Sequence, residues 1–379
     1  MYTNKSKTIC AIILFFLSFN VFAGNKKLNV FFTQGYVYNT ENQVILSDFR
    51  ELGINTFFKL NDRLSISAQT MNKQFGRETF QFTQTNMDYL FLNYIFNNDF
   101  NIKLGRIVLP YGIYNETRNV AFIRPTVMLP QNIYGEDLRF TVNAIDGGVF
   151  EYSGVPFSFR VGYGYNNPKK PGKTYFLLYP FDEITFNDAE VGFLNFRYAT
   201  LDQRLRLSYS FILSSIDSKQ KYINPMIPIE AGDVNIRSNI FSVEYVVNSN
   251  SDVITFEIAY NELFKRNFGV VSDDDPTAFP FYIQYLRRVN PKTDLVFRYE
   301  HINTSTTLPF IPGLDSSVFS KGHAYNIGLN YRVNRNLFLQ TQVQYNEGTS
   351  VIPNLELPLF LGNRKYPYMS YMISATVLF

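Results

Sequence analysis

Apolar and polar residues alternate with a period of two along most of the chain. Residues 204–211 read Arg-Leu-Arg-Leu-Ser-Tyr-Ser-Phe, and the stretches 157–163, 325–332 and 337–345 repeat the pattern. Because successive side chains of a strand point to opposite faces, the pattern predicts β-strands with one apolar and one polar face. The pattern does not say which face meets water, so it fits both a soluble sandwich and a membrane barrel.

The connections between these strands alternate strictly between short and long. Short turns of Asn, Asp, Ser, Gly and Pro composition lie at 61–62, 97–99, 153–154, 202–203, 250–251, 290–291 and 334–335. Long connections lie near 39–47, 72–86, 108–143, 166–188, 214–237, 265–280, 302–323 and 346–367. Seven turns and eight loops join 16 strands. This sorting is typical of outer-membrane barrels with short periplasmic turns and long extracellular loops, and it predicts an all-β, transmembrane, antiparallel β-barrel.

The composition supports the barrel. The chain has 27 Tyr and 38 Phe, no Trp, and a mean hydropathy of -0.11. A barrel places such an aromatic surplus on its lipid face and at the two interfaces. After the N-terminal segment there is no apolar run of about 18 residues, so no transmembrane helix is predicted. A net charge of +3 gives no reason to expect nucleic acid as a partner.

The N-terminus has the pattern of a secretory signal. Lys5 and Lys7 precede an apolar run at 9–22, and Val21 and Ala23 occupy the small-residue positions of a cleavage site. We therefore expect a signal peptide at 1–23 and a single barrel domain at 24–379; an uncleaved anchor is the alternative. The only cysteine, Cys10, lies in the signal, so no disulfide, iron–sulfur cluster or cysteine-bound metal is expected in the mature chain. No cofactor and no other metal site is predicted.

The C-terminal strand ends the chain on an aromatic residue. Tyr371, Ile373, Ala375, Val377 and Phe379 share one face of the predicted strand. This ending resembles the signature by which the outer-membrane assembly machinery of Gram-negative bacteria recognises its clients. The resemblance implies an assembly signal carried by Tyr371, Val377 and Phe379.

A barrel of about 16 strands is too wide to be filled by side chains and encloses water. With the apolar faces outward, alternation predicts the inward bases Lys59, Arg63, Lys103, Arg160, Arg197, Arg204, Arg206, Arg288, Arg298 and Arg332. The clearest inward acids are Glu244, Glu257 and Glu300. This balance predicts a modest preference for anions. The alternative is that the arginines near the short turns only surround the periplasmic mouth; these are Arg197, Arg204, Arg288 and Arg332.

The third and longest loop, 108–143, carries a more specific signal. Its stretch Leu-Gly-Arg-Ile-Val-Leu-Pro-Tyr-Gly at 104–112 continues through Arg124-Pro125 and Leu129-Pro130. This region resembles a porin-like family of gammaproteobacteria and, more distantly, the GR…P(F/Y)G segment of phosphate-selective porins, without the basic strings of a phosphate path. The resemblance implies a homotrimer and a loop that folds into the barrel as its constriction, with Glu116, Arg118, Arg124, Glu136, Asp137 and Arg139. A Pro-anchored surface loop is the alternative.

Together these features predict an outer-membrane porin for passive diffusion of small hydrophilic solutes or ions. Its other partners would be membrane lipid and lipopolysaccharide, the latter through divalent ions at the acidic run 273–275. A receptor or adhesin with a closed lumen is the first alternative. A hydrolase is the second and needs a histidine at the barrel surface. His301 is predicted near the outer end of a strand with Glu300 on the opposite face, and His323 is predicted in a loop, so we expect no enzyme.

Overall fold

The computed structural model describes residues 26–40, 44–75, 82–134, 144–166, 181–222, 230–247, 251–266, 277–303, 321–347 and 367–379. The predicted signal peptide lies outside these residues. So do the acidic run 273–275 and three predicted constriction residues, Glu136, Asp137 and Arg139.

The chain forms 16 antiparallel strands, as the sorted connections predict. They are β1 Lys26–Asn39, β2 Val44–Lys59, β3 Leu64–Phe75, β4 Phe82–Ile95, β5 Phe100–Val108, β6 Ala144–Ser153, β7 Phe157–Asn166, β8 Phe181–Ala199, β9 Leu205–Tyr222, β10 Glu230–Val247, β11 Asp252–Arg266, β12 with segments Thr277–Ala278 and Phe281–Asn290, β13 Thr293–Asn303, β14 Lys321–Arg332, β15 Leu337–Glu347 and β16 Tyr368–Leu378. Both segments of β12 pair with β11 and are separated by Phe279 and Pro280. Pro280 has no N–H for the ladder, which accounts for the interruption.

The sheet closes on itself. Phe31 of β1 pairs with Gly53 of β2 on one side and with Leu378 of β16 on the other. Each remaining strand pairs with its neighbours in chain order. Closure leaves the backbone of the wall hydrogen-bonded without a sheet edge, which is the condition for a sheet to span lipid.

The two faces of the wall are arranged as in a membrane barrel. Large apolar side chains are exposed on the outside, among them Tyr36, Leu52, Leu90, Val161, Leu213, Phe241, Ile254, Phe297, Ile327 and Ile373. Polar side chains are buried on the inside, among them Thr33, Gln69, Asn195, Ser210, Gln284, Asn326 and Gln342. A soluble sandwich would bury its apolar side chains and expose its polar ones, so this alternative is excluded. The described part of the chain contains no helix with the length and apolarity that crossing a membrane requires.

Several strands extend further than the polarity pattern predicts. β8 begins at Phe181, β9 ends at Tyr222 and β10 begins at Glu230, so the connections predicted at 166–188 and 214–237 are too long. The physical reason is that backbone groups need partners above the apolar band as well as within it. For the same reason the prediction of His323 in a loop is wrong, because it lies in β14.

The main apolar core lies inside the barrel. Leu109, Tyr111, Leu129, Ile133 and Tyr134 of the third loop are buried there. They pack against inward residues of the wall, among them Ile145, Val149, Val191, Phe193, Ile212, Ile236, Ile240 and Tyr282. Part of the interior that alternation predicts to be polar is therefore apolar, since Val191 and Phe193 lie in the stretch 191–194 of β8, where both faces are apolar.

Candidate functional site

The third loop crosses the barrel interior. Ser210 of β9 donates a hydrogen bond to the Pro110 carbonyl at 2.7 Å. On the opposite part of the wall, Asn330 of β14 donates to the Pro125 carbonyl at 2.7 Å, and Gln340 of β15 donates to the Arg124 carbonyl at 2.9 Å. Because these strands lie far apart around the barrel, residues 110–125 must pass through the lumen. Within the loop, Asn115–Thr117 and Ala121–Ile123 form short 3-10 turns and Gln131–Tyr134 one helical turn.

Glu257 of β11 is the first anchor of the loop. One carboxylate oxygen accepts hydrogen bonds from the Ser242 hydroxyl at 2.6 Å and from the Ile113 backbone N–H at 2.8 Å. The other oxygen accepts from the hydroxyls of Tyr134 at 2.5 Å and Tyr282 at 2.6 Å. Ile113 and Tyr134 lie near the two ends of the described loop, so this one carboxylate holds both ends against the wall.

Tyr134 takes part in this anchor as a permanent donor. Burial, followed by the charge of Glu257, raises the pKa of Tyr134 well above its ordinary value, so the hydroxyl keeps its proton. The same hydroxyl oxygen accepts from the backbone N–H groups of Ile113 at 2.8 Å and Tyr114 at 3.2 Å. The start of the loop is therefore fixed to its end as well as to the wall.

Arg298 and Glu300 of β13 form the second anchor. The Arg298 guanidinium donates to the Thr126 hydroxyl at 2.8 Å and to the Met128 carbonyl at 3.1 Å. It also donates to Glu300 at 2.8 Å, and Glu300 accepts from the Gln131 backbone N–H at 2.8 Å. Arg298 and Glu300 point inward, as alternation predicts, but the loop covers them: their exposed fractions are 3% and 0%.

The arginines of the loop are also buried. Arg124 pairs with Glu51 of β2, and Lys73 of β3 lies 3.9 Å from the same carboxylate. Arg118 donates to the Tyr134 carbonyl at 3.0 Å, inside the loop itself. Of these two predicted constriction charges, Arg124 thus pairs with an acid of the wall and Arg118 caps a carbonyl within the loop.

A row of charges lies where the loop meets the wall of β5 to β8. Glu116 of the loop accepts from Arg160 of β7 at 2.7 Å and from Arg197 of β8 at 2.7 Å. Arg160 also donates to Glu151 of β6 at 2.6 Å, and Lys103 of β5 lies 2.7 Å from Glu151. The row runs base, acid, base, acid, base across four strands and the loop, and Glu116 and Arg197 keep a third of their side-chain surface exposed.

The charge of Glu116 is held by its neighbours. Burial acts to raise the pKa of this carboxyl, but the adjacent Arg160 and Arg197 outweigh it and lower the pKa to about 2. Glu116 is therefore ionised throughout the physiological range. The arrangement brings the loop and the basic wall together by direct ion pairs.

The remaining predicted charges lie toward the rim of the short turns. Arg206 pairs with Glu244 at 2.9 Å, Lys59 with Asp62 at 2.7 Å, and Arg204 lies 3.5 Å from Asp202. Arg288 pairs with Asp294, Arg332 contacts the Pro291 carbonyl, and Arg63 lies in the first turn. A cavity of about 480 Å³ lies below the loop on this side, lined by Glu116, Arg197, Ser208, Arg206, Ser242 and Glu244.

Three further acids point inward that were not among those predicted from the alternation. Glu151 pairs in register with Arg160, and Glu51 lies between Phe49 and Gly53 on the inner face. Both follow the period-two pattern and could have been found from it. Asp88 accepts a hydrogen bond from Gln69 at 2.9 Å at a β-bulge, where the period is broken and no sequence signal marks its direction. The interior is consequently less basic than predicted.

Comparison with known proteins identifies the fold. No family model matches the chain and no curated protein matches its sequence. Among solved structures, the outer-membrane-expressed OmpT of Vibrio cholerae matches at 12% identity with a TM-score of 0.63, over 95% of this chain and 99% of that one. The anion-selective porin from Comamonas acidovorans matches at 11% identity and 0.58, over 93% and 99%. The outer membrane channel DcaP of Acinetobacter baumannii matches at 10% identity and 0.60, over 93% and 97%. The chain thus has the barrel fold of Gram-negative outer-membrane porins.

Proposed function

We propose that this protein is an outer-membrane porin, a water-filled channel for passive diffusion of small hydrophilic solutes, with the third loop as its constriction. The observation that carries the proposal is the course of that loop. It is anchored to β11 at Glu257, to β13 at Arg298 and Glu300, and to β2 at Glu51. The passage it leaves runs along β5 to β8, where side chains are charged and partly exposed.

The passage supports a modest preference for anions. Its partly exposed bases are Lys103, Arg160 and Arg197, and its acids are Glu116 and Glu151. Three bases against two acids leave a small positive excess. A low-dielectric wall focuses the field of that excess onto the passage. Because the screening length is about 8 Å at physiological salt, the preference should weaken as salt rises.

Single-channel recording in a planar bilayer tests the function. The purified protein should give stepwise conductance, and under a salt gradient the zero-current potential should have the sign of anion preference. A cation-selective channel would contradict the proposed anion preference but would still agree with a porin.

A receptor or adhesin with a closed lumen is the second candidate. The observation that favours it is the apolar core between the loop and the wall, which occludes part of the interior. A folded sample without conductance would support this candidate against the porin. The porin proposal assigns no catalysis, and hydrolysis of an ester or peptide by the folded protein would contradict it.

We also propose that three copies associate through the outer face of β5 to β8. Arg106 and Asp146 form an ion pair there at 3.0 Å, with 29% and 51% of their side-chain surface exposed. Glu190 of β8 is exposed on the same face. A charge on the lipid face costs up to about 2–4 kcal/mol for Arg at the bilayer midplane, and a neighbouring copy removes that cost by covering the pair. The OmpT of Vibrio cholerae with the same fold is also known in a trimer form.

A further inference from the structure

The only two histidines of the chain lie side by side. His301 of β13 and His323 of β14 are register partners across the antiparallel pair. Their Nδ1 atoms are 3.2 Å apart and their ring centroids 4.5 Å apart. β13 ends at Asn303 and β14 begins at Lys321, so the pair lies at the rim opposite the chain termini. In a barrel with periplasmic termini this is the extracellular rim.

Both rings are on the outer face of the wall and accessible. Glu300, the residue before His301, points inward to the loop, so His301 points outward. Both histidines are partly exposed. Aromatic neighbours position them: Phe281 lies beside the His301 ring, with centroids 5.1 Å apart, and the Tyr299 hydroxyl lies 2.7 Å from His323 Nδ1.

The separation of the two nitrogens matches a chelate. Two nitrogen ligands at about 2.0–2.1 Å from a tetrahedral Zn²⁺ are about 3.3–3.4 Å apart, and His301 Nδ1 and His323 Nδ1 are 3.2 Å apart. Without a metal, two Nδ1 atoms this close can be neutral partners only if one carries a proton and the other accepts it. A metal ion replaces that shared proton and the contact of the Tyr299 hydroxyl with His323 Nδ1, without a rearrangement of the strands.

The next strand offers a carboxylate in the same row. Glu347 of β15 is the register partner of His323. Its carboxylate accepts a hydrogen bond from the Tyr345 hydroxyl at 3.0 Å. Within the described ranges no three potential ligands already stand together, so Glu347 has to turn from Tyr345 toward the histidines. The row His301, His323 and Glu347 then supplies two imidazoles and one carboxylate.

We propose that His301 and His323, with Glu347 as the third ligand, form a site for a divalent transition-metal ion at the extracellular rim. Imidazole with one carboxylate suits Zn²⁺ and Cu²⁺, and Cu²⁺ binds such donors most tightly. The ion ties together β13, β14 and β15 at the rim where the connection between β13 and β14 is long. The proposal concerns the outer face and is independent of the channel function.

Copper binding to the untagged protein in detergent tests the site. The electron paramagnetic resonance spectrum of the Cu²⁺ complex should show two equivalent nitrogen ligands, and the chain has no other imidazole to supply them. His301→Gln and His323→Gln should each leave one nitrogen ligand and weaken Cu²⁺ binding by roughly 10²-fold. In the wild type the second imidazole binds the ion intramolecularly, and each variant loses this contact. Glu347→Gln should weaken binding less, and Glu190→Gln, a carboxylate change on a remote outer face, should have no effect.

Thermal unfolding gives a second readout. Zn²⁺ should raise the unfolding temperature of the wild type and leave that of the His301→Gln/His323→Gln double variant unchanged, because an ion that binds only the folded state stabilises it. A wild-type spectrum with one nitrogen, equal Cu²⁺ affinity in wild type and double variant, or an equal thermal response of both would each overturn the proposal.

Discussion

Arg160 contacts two carboxylates, Glu116 on the third loop at 2.7 Å and Glu151 on β6 at 2.6 Å. Arg298 also points inward, but its guanidinium donates hydrogen bonds to a hydroxyl and a backbone carbonyl of the loop. Alternation places both arginines on the inner face of the wall, and both carry the same charge. What separates them is whether the loop covers them, and only an uncovered charge can act on a passing ion.

Arg160→Glu should shift the zero-current potential toward cations. The substitution replaces a base by a third acid beside Glu116 and Glu151, which changes the charge of the passage by two units. The measurement is ion selectivity in a planar bilayer at low salt. Arg204→Glu makes the same change of charge at the rim, where Arg204 is 58% exposed, and serves as the control. Equal shifts in the two variants would contradict the placement of the constriction at Arg160.

Glu116 should act on selectivity down to strongly acid pH. Its pKa is lowered from 4.5 to about 2 by Arg160 and Arg197. For a carboxyl whose pKa is depressed by folding, the contribution is complete above the ordinary value and disappears as the pH falls through the lowered one. The difference in zero-current potential between wild type and Glu116→Gln should therefore stay constant from pH 7 to pH 4.5 and fall only as the pH approaches about 2. A difference that vanishes near pH 4.5 would show that the two ion pairs do not form.

Among elements, the third loop differs from a surface connection in its partners. Its carbonyls accept hydrogen bonds from Ser210, Asn330 and Gln340, which belong to three strands of the wall. Its apolar side chains fill the space between these strands. The loop is therefore a packed part of the interior, and its position can be trapped chemically.

Thr126→Cys and Gly328→Cys should form a disulfide in the folded protein. A Cβ placed on Gly328 of β14 would meet the Thr126 side chain at 2.8 Å, so small adjustments bring two sulfur atoms into bonding range. Mass spectrometry with and without reductant measures the bond, and conductance should change little because the bond holds the loop where it already lies. Thr126→Cys with Ser208→Cys on β9 is the mismatched control. Cross-linking of the control but not of the test pair would contradict this course of the loop.

At the scale of the whole molecule, the C-terminus closes the barrel through its backbone. The Phe379 N–H donates to the Val30 carbonyl at 2.8 Å, while 75% of the Phe379 side chain is exposed. A side chain this exposed contributes little to packing within the barrel, which agrees with the expected role in recognition by the assembly machinery. That role is a prediction from the sequence.

Phe379→Ala should impair insertion into the outer membrane of living cells much more than refolding in detergent. The backbone hydrogen bond is kept in this variant, and only the exposed ring is lost. The amount of folded protein in membrane fractions is compared with the refolding yield of the purified chain. Phe338→Ala, at a neighbouring aromatic position on β15, is the control for a loss of stability. Equal losses for Phe379→Ala in cells and in detergent would contradict the assembly signal.

Association of three copies can be tested at the exposed ion pair. Arg106→Glu places two acids together on the outer face and should convert trimers to monomers, measured by native mass spectrometry in detergent. The exchange Arg106→Asp/Asp146→Arg restores an ion pair within each copy and should recover part of the trimer. Arg237→Glu changes a base paired with Glu262 on the outer face of β10 and β11, and is the matched control. A monomeric wild type, or trimers that persist in Arg106→Glu, would contradict the proposed interface.

The sequence by itself determined the barrel, the number of strands and the direction of most side chains. Alternation is a local property, so Arg160 between Phe159 and Val161 could be placed inward without knowledge of any partner. Only the tertiary structure decided which inward charges meet water. Ile113 and Glu257 are 144 positions apart, as Glu116 and Arg197 are 81, and no local pattern encodes such pairs. The same holds for His301 and His323, one predicted in a strand and the other in a loop, which meet because the register of β13 and β14 is set by the pairing of whole strands.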